Sequence, residues 1–221
     1  MVELGKRANL EEAPNPEKRV KTEEPYALRL LPSATCYEKS YMHKDCLSFV
    51  SVAAKTDFVI TASQDGYVKF WRKVVQGIEF VKTFRAHLQA ISSVALNRAE
   101  DRYATSCAPE QCIKIFDVVN FDLINMLKLA FSPELITFTY RQGEFQPLLA
   151  VASGPSIKIV RTEHALADKR NEQSQYVLRS KDLHEDGCQI LAFNSEGQYG
   201  LSIGKDGVPD LWDPETLEPP T

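Results

Sequence analysis

From Tyr26 onward the chain is a series of short apolar runs separated by polar turns. Within many of these runs apolar and polar residues alternate, as they do from Val68 to Phe70. Alternation with a period of two places every second side chain on one face of a β-strand. The pattern therefore predicts an all-β fold built from short strands.

The predicted strands fall into four consecutive groups. They are Leu47–Val52, Phe58–Ala62, Val68–Trp71 and Glu79–Phe84; Ile91–Leu96, Tyr103–Cys107, Ile113–Phe116 and Leu123–Leu129; Leu135–Tyr140, Leu148–Ala152, Ser156–Val160 and a displaced Gln175–Leu178; and Ile190–Phe193, Tyr199–Ile203 and Asp210–Trp212. The last group lacks an outer strand, and Pro209 sits inside its expected third strand, where it removes a backbone donor. Asp65-Gly66 predicts a type I′ turn, whose two central residues need positive φ.

One tetrapeptide recurs along the chain. Val68–Trp71, Ile113–Phe116 and Ile157–Val160 are three versions of it, and Leu211–Asp213 is a degraded fourth. The intervals between the terminal aromatic positions are 45, 44 and 52 residues. A period of about 40–45 residues with a Trp-Asp-like end is typical of β-propeller blades, each a four-stranded sheet. The sequence thus predicts about four blades, the last incomplete, within a larger propeller.

Composition and spacing suggest the domain organisation. Residues 1–25 are polar and proline-containing, which favours a disordered leader. The predicted order is then a first strand and linker (26–40), blade one (41–85), blade two (86–130), blade three with a polar loop at 161–174 (131–182), incomplete blade four (183–214) and a tail (215–221). In an alternative arrangement, a strand at Ala27–Leu31 completes the last blade and closes a four-bladed ring.

Polar residues recur at fixed offsets from the terminal aromatic residues. A turn residue six positions earlier is acidic in three copies, and a histidine lies 28 or 29 positions earlier in the same three. The third copy has Gly154 in the turn and no histidine. The predicted blade markers are His43, Asp65, Trp71, His87, Phe116, Asp117, His184, Asp206, Trp212 and Asp213.

The markers suggest a buried hydrogen-bonded cluster. A tryptophan N–H only donates, so a hydroxyl on the neighbouring strand is expected to accept from it, Thr61 or Ser63 in blade one. The histidine ring would then bridge that hydroxyl to the turn carboxylate. A Ser-His-Asp hydrolase triad is the competing interpretation. The recurrence in every marked repeat and the lack of a Gly-x-Ser-x-Gly motif favour a structural role.

Lys69, Lys114 and Lys158 occupy equivalent positions in successive repeats. They would either form a basic arc for an anionic partner such as RNA, or cover apolar surface with their aliphatic stems; we favour the second interpretation. Gly204–Gly207 reads as a hairpin and not as a phosphate-binding loop.

The bulk properties exclude several classes of protein. The net charge is −4 and the isoelectric point is near 5.7, which argues against wrapping of nucleic acid through overall charge. No run of 18 apolar residues is present, so no membrane segment is expected. The five cysteines are odd in number, and no His or Cys near Cys107 and Cys112 in the sequence completes a zinc set. Reduced, mostly buried thiols and no cofactor are expected.

The repeat pattern resembles that of the WD-repeat family. Segments Lys55–Trp71, Gly77–His87 and Lys114–Leu129, with Tyr37–His43 just upstream, are more specifically similar to cyclophilins that carry WD repeats, which are nuclear and associated with the spliceosome. The resemblance implies a non-catalytic platform for protein–protein interaction in a nuclear ribonucleoprotein that splices mRNA. The implied partners are splicing proteins, with RNA contact indirect and without a small-molecule substrate.

The resemblance leaves one alternative open. A cyclophilin active site needs an Arg, an apolar floor and a His within its own barrel, and none of these can be matched here. The chain would then be the WD part of a peptidyl-prolyl isomerase whose catalytic domain is absent, as a fragment, a short isoform or a mispredicted gene. The cations in Pro16–Lys21 form either a weak nuclear-import signal or a merely solvated tail, and the residues alone favour the tail. The expected location is the nucleus, with the cytoplasm as the alternative.

Overall fold

A computed structural model describes residues 43–75, 77–139, 147–162, 176–194 and 196–220. Every regular element in these ranges is a β-strand. The strands are β1 Leu47–Ala53, β2 Phe58–Ser63, β3 Tyr67–Val74, β4 Gly77–Arg85, β5 Ser93–Leu96, β6 Arg102–Cys107, β7 Cys112–Asp117, β8 Asp122–Lys128, β9 Leu135–Thr139, β10 Leu148–Ser153, β11 Ser156–Arg161, β12 Val177–Asp182, β13 Cys188–Phe193, β14 Gly200–Gly204 and β15 Pro209–Trp212.

The strands form four antiparallel sheets in chain order. Sheet one contains β1–β4, sheet two β5–β8, sheet three β9–β12 and sheet four β13–β15. Each is a simple meander in which sequential strands are neighbours. The prediction of an all-β fold made of blade-like sheets is confirmed. The described part of the chain holds no helix of the length and apolarity needed to span a bilayer.

Several sequence predictions fall outside the described residues. They concern the leader, the strand at Ala27–Leu31 and most of the polar loop at 161–174. The described residues belong to one compact unit, Tyr41–Thr221. The domain boundaries drawn from the sequence remain predictions.

Sheet two shows why its strands carry apolar residues on both faces. Tyr103 and Phe116 point to one face and enter an apolar cluster with Phe70 of sheet one. Ala104 and Ile113 point to the other face and pack against residues of sheet three. Because successive strand residues face opposite sides, a sheet covered on both faces needs apolar residues on both.

Sheets three and four repeat this arrangement. Ala150 and Ile157 of sheet three pack with Trp212 of sheet four, whose indole is 1% exposed. The innermost strands of consecutive sheets also lie side by side: the Ile136 N–H of β9 donates to Ser93 Oγ of β5 at 3.2 Å. Each apolar cluster thus joins two consecutive sheets, as expected for propeller blades.

A β-bulge falls at the same point of the repeated tetrapeptide in three sheets. The register between the third and fourth strands shifts at Phe70/Trp71, at Ile115/Phe116 and at Ile159/Val160. A bulge adds twist and changes the pairing of the residues beyond it. The recurrence of the tetrapeptide therefore marks a recurring backbone irregularity as well as a recurring side chain.

The turn at Asp65-Gly66 is not the predicted type I′. Of the two turn residues, only Gly66 has a positive φ, at +81°, whereas a type I′ turn needs a positive φ at Asp65 as well. The Gly66 N–H donates to the Ser63 carbonyl at 3.1 Å, and the loop 64–66 has three residues. This is a type I turn followed by a left-handed residue, the usual three-residue hairpin. A Cβ at Gly66 would lie 2.2 Å from the His87 carbonyl oxygen, so both space and φ require glycine.

Pro209 does not interrupt the fourth sheet. It is the first residue of β15, which lies at the edge of the described sheet, and it is paired with Ile203. The start of an edge strand is one of the few places where a sheet accepts proline, because a missing N–H costs little there.

Gly200 of β14 packs against the Trp212 ring within sheet four, so a substitution at Gly200 tests this contact. A Cβ at this buried glycine would lie 2.6 Å from the Trp212 ring. We expect Gly200→Ala to lower the free energy of unfolding by about 1–3 kcal/mol through overpacking, measured by urea denaturation.

The control for this prediction is a double-mutant cycle with Trp212→Phe. The smaller ring leaves room for the new methyl group, so Gly200→Ala should cost less in that background. Equal costs in both backgrounds would show that contact with the indole is not the cause.

Candidate functional site

In sheet one the predicted cluster forms around Thr61. The Trp71 indole N–H donates to Thr61 Oγ1 at 2.8 Å, and His43 Nε2 lies 2.8 Å from the same oxygen. Thr61 is thus the acceptor, and Ser63 Oγ donates instead to Asp65. The Tyr67 N–H also donates to Asp65. Asp65 therefore orders the turn, while His43 Nδ1 is buried and has no hydrogen-bond partner among the described residues.

Sheet four contains the same arrangement. The Trp212 indole N–H donates to Ser202 Oγ at 3.1 Å, and His184 Nε2 lies 2.8 Å from that oxygen. His184 Nδ1 faces Asp210 of β15 at 3.5 Å. Asp206 accepts from the Val208 N–H within its own turn. The expectation that the histidine reaches the turn carboxylate is therefore wrong for Asp65 and Asp206, since each is occupied by local donors.

Sheet two forms the complete bridge. His87 Nε2 lies 2.9 Å from Thr105 Oγ1, and His87 Nδ1 lies 3.0 Å from Glu110 Oε2. Glu110 also accepts from the backbone N–H groups of Leu88 and Gln89. The terminal aromatic residue here is Phe116, which has no N–H to donate. Glutamate, one methylene longer than aspartate, spans from the turn to the histidine.

The spacing from histidine to hydroxyl is the sequence signal that would have found Thr105 and Ser202. It is 18 residues in all three clusters. The spacing from the aromatic residue varies, because the β6–β7 turn contains one residue more than the β2–β3 turn. Counting back ten residues from the aromatic residue, as from Trp71 to Thr61, therefore finds Ser202 but misses Thr105.

Burial and hydrogen bonding together set the pKa values in sheet two. Burial lowers the pKa of His87 below its ordinary 6.5 and outweighs the opposing effect of Glu110. Burial raises the pKa of Glu110, but the hydrogen bonds from His87, Leu88 and Gln89 outweigh it and hold the value below 4.5. A neutral ring whose Nδ1–H donates to a carboxylate, while Nε2 accepts from Thr105, satisfies every group.

The aspartates that follow the terminal aromatic residues organise the next turn. Asp117 accepts from the backbone N–H groups of Val119 and Asn120, both at 2.8 Å. Asp213 accepts from the Glu215 N–H at 2.7 Å. A short acidic side chain that binds the backbone two residues later is a common turn-forming device. These contacts give both aspartates a local structural role.

The repeated lysines are engaged within the protein. The Lys114 ammonium donates to the Ala86 carbonyl, and the Lys158 ammonium lies 4.7 Å from the centre of the Phe131 ring. Lys69 is half-buried. These contacts support the interpretation that the lysines cover the protein's own surface, in preference to a free basic arc.

The buried clusters are poorly suited to nucleophilic catalysis. Thr61 is 7% exposed, and Thr105 and Ser202 are fully buried. A hydroxyl that already pairs with a histidine and lies inside the core cannot meet a substrate without local unfolding. The geometry instead satisfies polar groups that would be costly to bury alone.

Substitution of Glu110 tests the complete bridge. We expect Glu110→Gln to lower the free energy of unfolding by about 1–2 kcal/mol at pH 7. Because the pKa of Glu110 is lower in the folded state, the wild-type advantage is present above pH 4.5 and lost as the pH falls below it. Urea denaturation at a series of pH values measures both effects.

The matched control is Glu79→Gln on the exposed outer strand β4. It should change stability by less than about 0.5 kcal/mol at any pH. If both variants had the same pH profile, Glu110 would have no special role.

Comparison with known proteins agrees with this architecture. The family model for the WD domain, G-beta repeat, matches residues 35–72. Peptidyl-prolyl cis-trans isomerase cyp15 of Rhizopus delemar is 37% identical over 206 residues, which are 93% of this chain and 31% of the relative. Peptidylprolyl isomerase domain and WD repeat-containing protein 1 of Homo sapiens is 40% identical over 182 residues, 82% of this chain and 27% of the relative.

A plant protein extends the similarity. Peptidyl-prolyl cis-trans isomerase CYP71 of Arabidopsis thaliana is 33% identical over 212 residues, 94% of this chain and 32% of the relative. The chain thus spans about a third of the length of these relatives. The chain carries a match to the WD repeat at residues 35–72 and is homologous to proteins named for a peptidyl-prolyl isomerase domain.

Proposed function

We propose that this chain is a non-catalytic platform for protein–protein interaction that acts in a nuclear ribonucleoprotein assembly. WD repeats generally mediate contacts between proteins, and the buried His–hydroxyl clusters here are occupied with maintaining the fold. The spliceosome is the proposed assembly, because the segments Lys55–Trp71 and Lys114–Leu129 resemble nuclear cyclophilins associated with it.

The observation that carries the proposal is a cavity between the innermost strands. Its volume is about 440 Å³, and β5, β9 and β13 line it. Val94, Leu135 and Ile190 supply apolar surface, while Ser93 and Gln189 supply polar groups. A mixed, concave surface on a rigid scaffold suits the side chains of a docked protein segment.

The outward faces of the end sheets support placement within a larger propeller. Val50 and Val52 of sheet one are 60% and 61% exposed, and Leu211 of sheet four is 48% exposed. Equivalent faces of sheets two and three are covered by their neighbours. We propose that further blades cover these two faces, since contiguous apolar surface is otherwise a liability for solubility.

The test is affinity capture from nuclear extract followed by mass spectrometry. We expect splicing proteins among those retained, and a marked loss of them for Ile190→Glu. Ile190 lines the cavity and is 51% exposed, so a charge there should disrupt docking without breaking the core.

The matched control is Met126→Glu on β8. Met126 is 41% exposed and lies outside the cavity lining, so this variant should retain the same proteins. If the wild type captured no splicing components, the assignment to that machinery would fail. Equal capture by the wild type and Ile190→Glu would show that docking occurs elsewhere.

A second candidate is that the chain is the WD part of a cyclophilin-type peptidyl-prolyl isomerase. The names of the relatives and the share of their length that is matched favour it. In this case the purified chain would show no prolyl isomerisation of a test peptide, while the natural product would be longer and active.

Sequencing of the transcript beyond Thr221, with an isomerase assay on its full product, checks this candidate. An in-frame cyclophilin domain with activity would support it. A stop codon after Thr221 would leave the platform alone, and activity in the present chain would contradict both candidates.

A further inference from the structure

A histidine, a cysteine and a glutamate converge where sheets one and two meet. His87 follows β4, Cys107 ends β6 and Glu110 lies in the turn between β6 and β7. One nitrogen, sulfur and oxygen atom from these residues all lie within 4.8 Å of one another. We propose that His87 Nδ1, Cys107 Sγ and a Glu110 oxygen form a zinc-binding site.

The chemistry of the three donors fits zinc. Imidazole nitrogen, thiolate sulfur and carboxylate oxygen are the protein ligands that zinc takes, at bond lengths of about 2.0–2.3 Å. A tetrahedral ion then sets its ligand atoms roughly 3.3–3.8 Å apart. The three donor atoms are at most 4.8 Å apart, about 1 Å beyond this range, and a water molecule would take the fourth position.

Comparison of the sheets within the molecule singles out this cluster. The last residue of the second strand is Ser63 in sheet one, Ser153 in sheet three and Gly204 in sheet four, but Cys107 in sheet two. In sheet one that position supplies the hydroxyl that donates to Asp65. Replacement of a hydroxyl by a thiol exchanges a hydrogen-bond donor for a strong zinc ligand.

The histidine tautomer can also change in sheet two without competition from an indole N–H. A zinc-bound Nδ1 requires the proton on Nε2, which must then find an acceptor. Thr105 Oγ1 lies 2.9 Å from Nε2 and receives no indole N–H, because the aromatic residue is Phe116. In the other two clusters a tryptophan already donates to that hydroxyl. Thr105 would thus orient the ligand from behind, as hydrogen-bond partners of zinc-binding histidines do.

Protons balance in the binding step. The ion displaces the Cys107 thiol proton to buffer, and through exchange with water the imidazole proton leaves Nδ1 as another binds at Nε2. Glu110 is already a carboxylate, and its side chain is 18% exposed, which gives the ion a route from solvent. Cys107 lies beneath it, fully buried.

The test is titration of the chelator-treated chain with Co²⁺ and then Zn²⁺. Thiolate-bound cobalt gives a charge-transfer absorption, which zinc should abolish by displacement. We expect a single cobalt ion per chain, a rise in Tm with zinc, and loss of the absorption in Cys107→Ser. This variant should fold, because Ser63 occupies the equivalent position in sheet one.

Two further variants separate ligation from packing. Cys112→Ser removes the thiol paired with Cys107 across the hairpin and should leave cobalt binding unchanged. Thr105→Val keeps all three ligands but should weaken zinc affinity about 10- to 100-fold. The proposal is overturned if no thiolate absorption appears, if it survives in Cys107→Ser, or if Cys112→Ser abolishes it.

Discussion

The fold depends on the stacking of one sheet on the next. Each sheet carries apolar residues on both faces, as Leu149 and Ala150 of β10 illustrate by entering clusters on opposite sides. A single sheet of this kind has no way to bury both faces by itself. The hydrophobic effect therefore acts between repeats more than within them, and each repeat needs neighbours to be stable.

Stacking also explains the polar clusters. Packing between sheets buries Trp71 and Trp212, and their indole N–H groups then need acceptors inside the protein. A threonine or serine one strand away meets that need, and a histidine holds the hydroxyl in place. Polar groups with complete partners define one arrangement, whereas incomplete ones would weaken the core.

The sequence predicted the strands and their grouping because alternation and period are local properties. It left Thr61 and Ser63 as alternative acceptors, of which the structure selects Thr61. It did not predict the contacts of Asp65 and Asp206, which depend on competition between donors that only the folded turn brings near. The turn type was also missed, since the contribution of Gly66 depends on the carbonyl of His87, 21 residues away. The convergence of His87 with Cys107 and Glu110 likewise arises between sheets and leaves no compact spacing in the sequence.

Because each apolar cluster joins only consecutive sheets, the unfolding of one sheet should be coupled most strongly to its direct neighbours and less to sheets farther along the chain. Backbone amides in β6, β7, β10 and β11 lie in sheets flanked on both sides, whereas those in β2 and β14 lie in sheets with one described neighbour. Local opening should therefore begin at the first and last sheets and move inward. The backbone amides of sheets two and three would then exchange hydrogen with solvent most slowly.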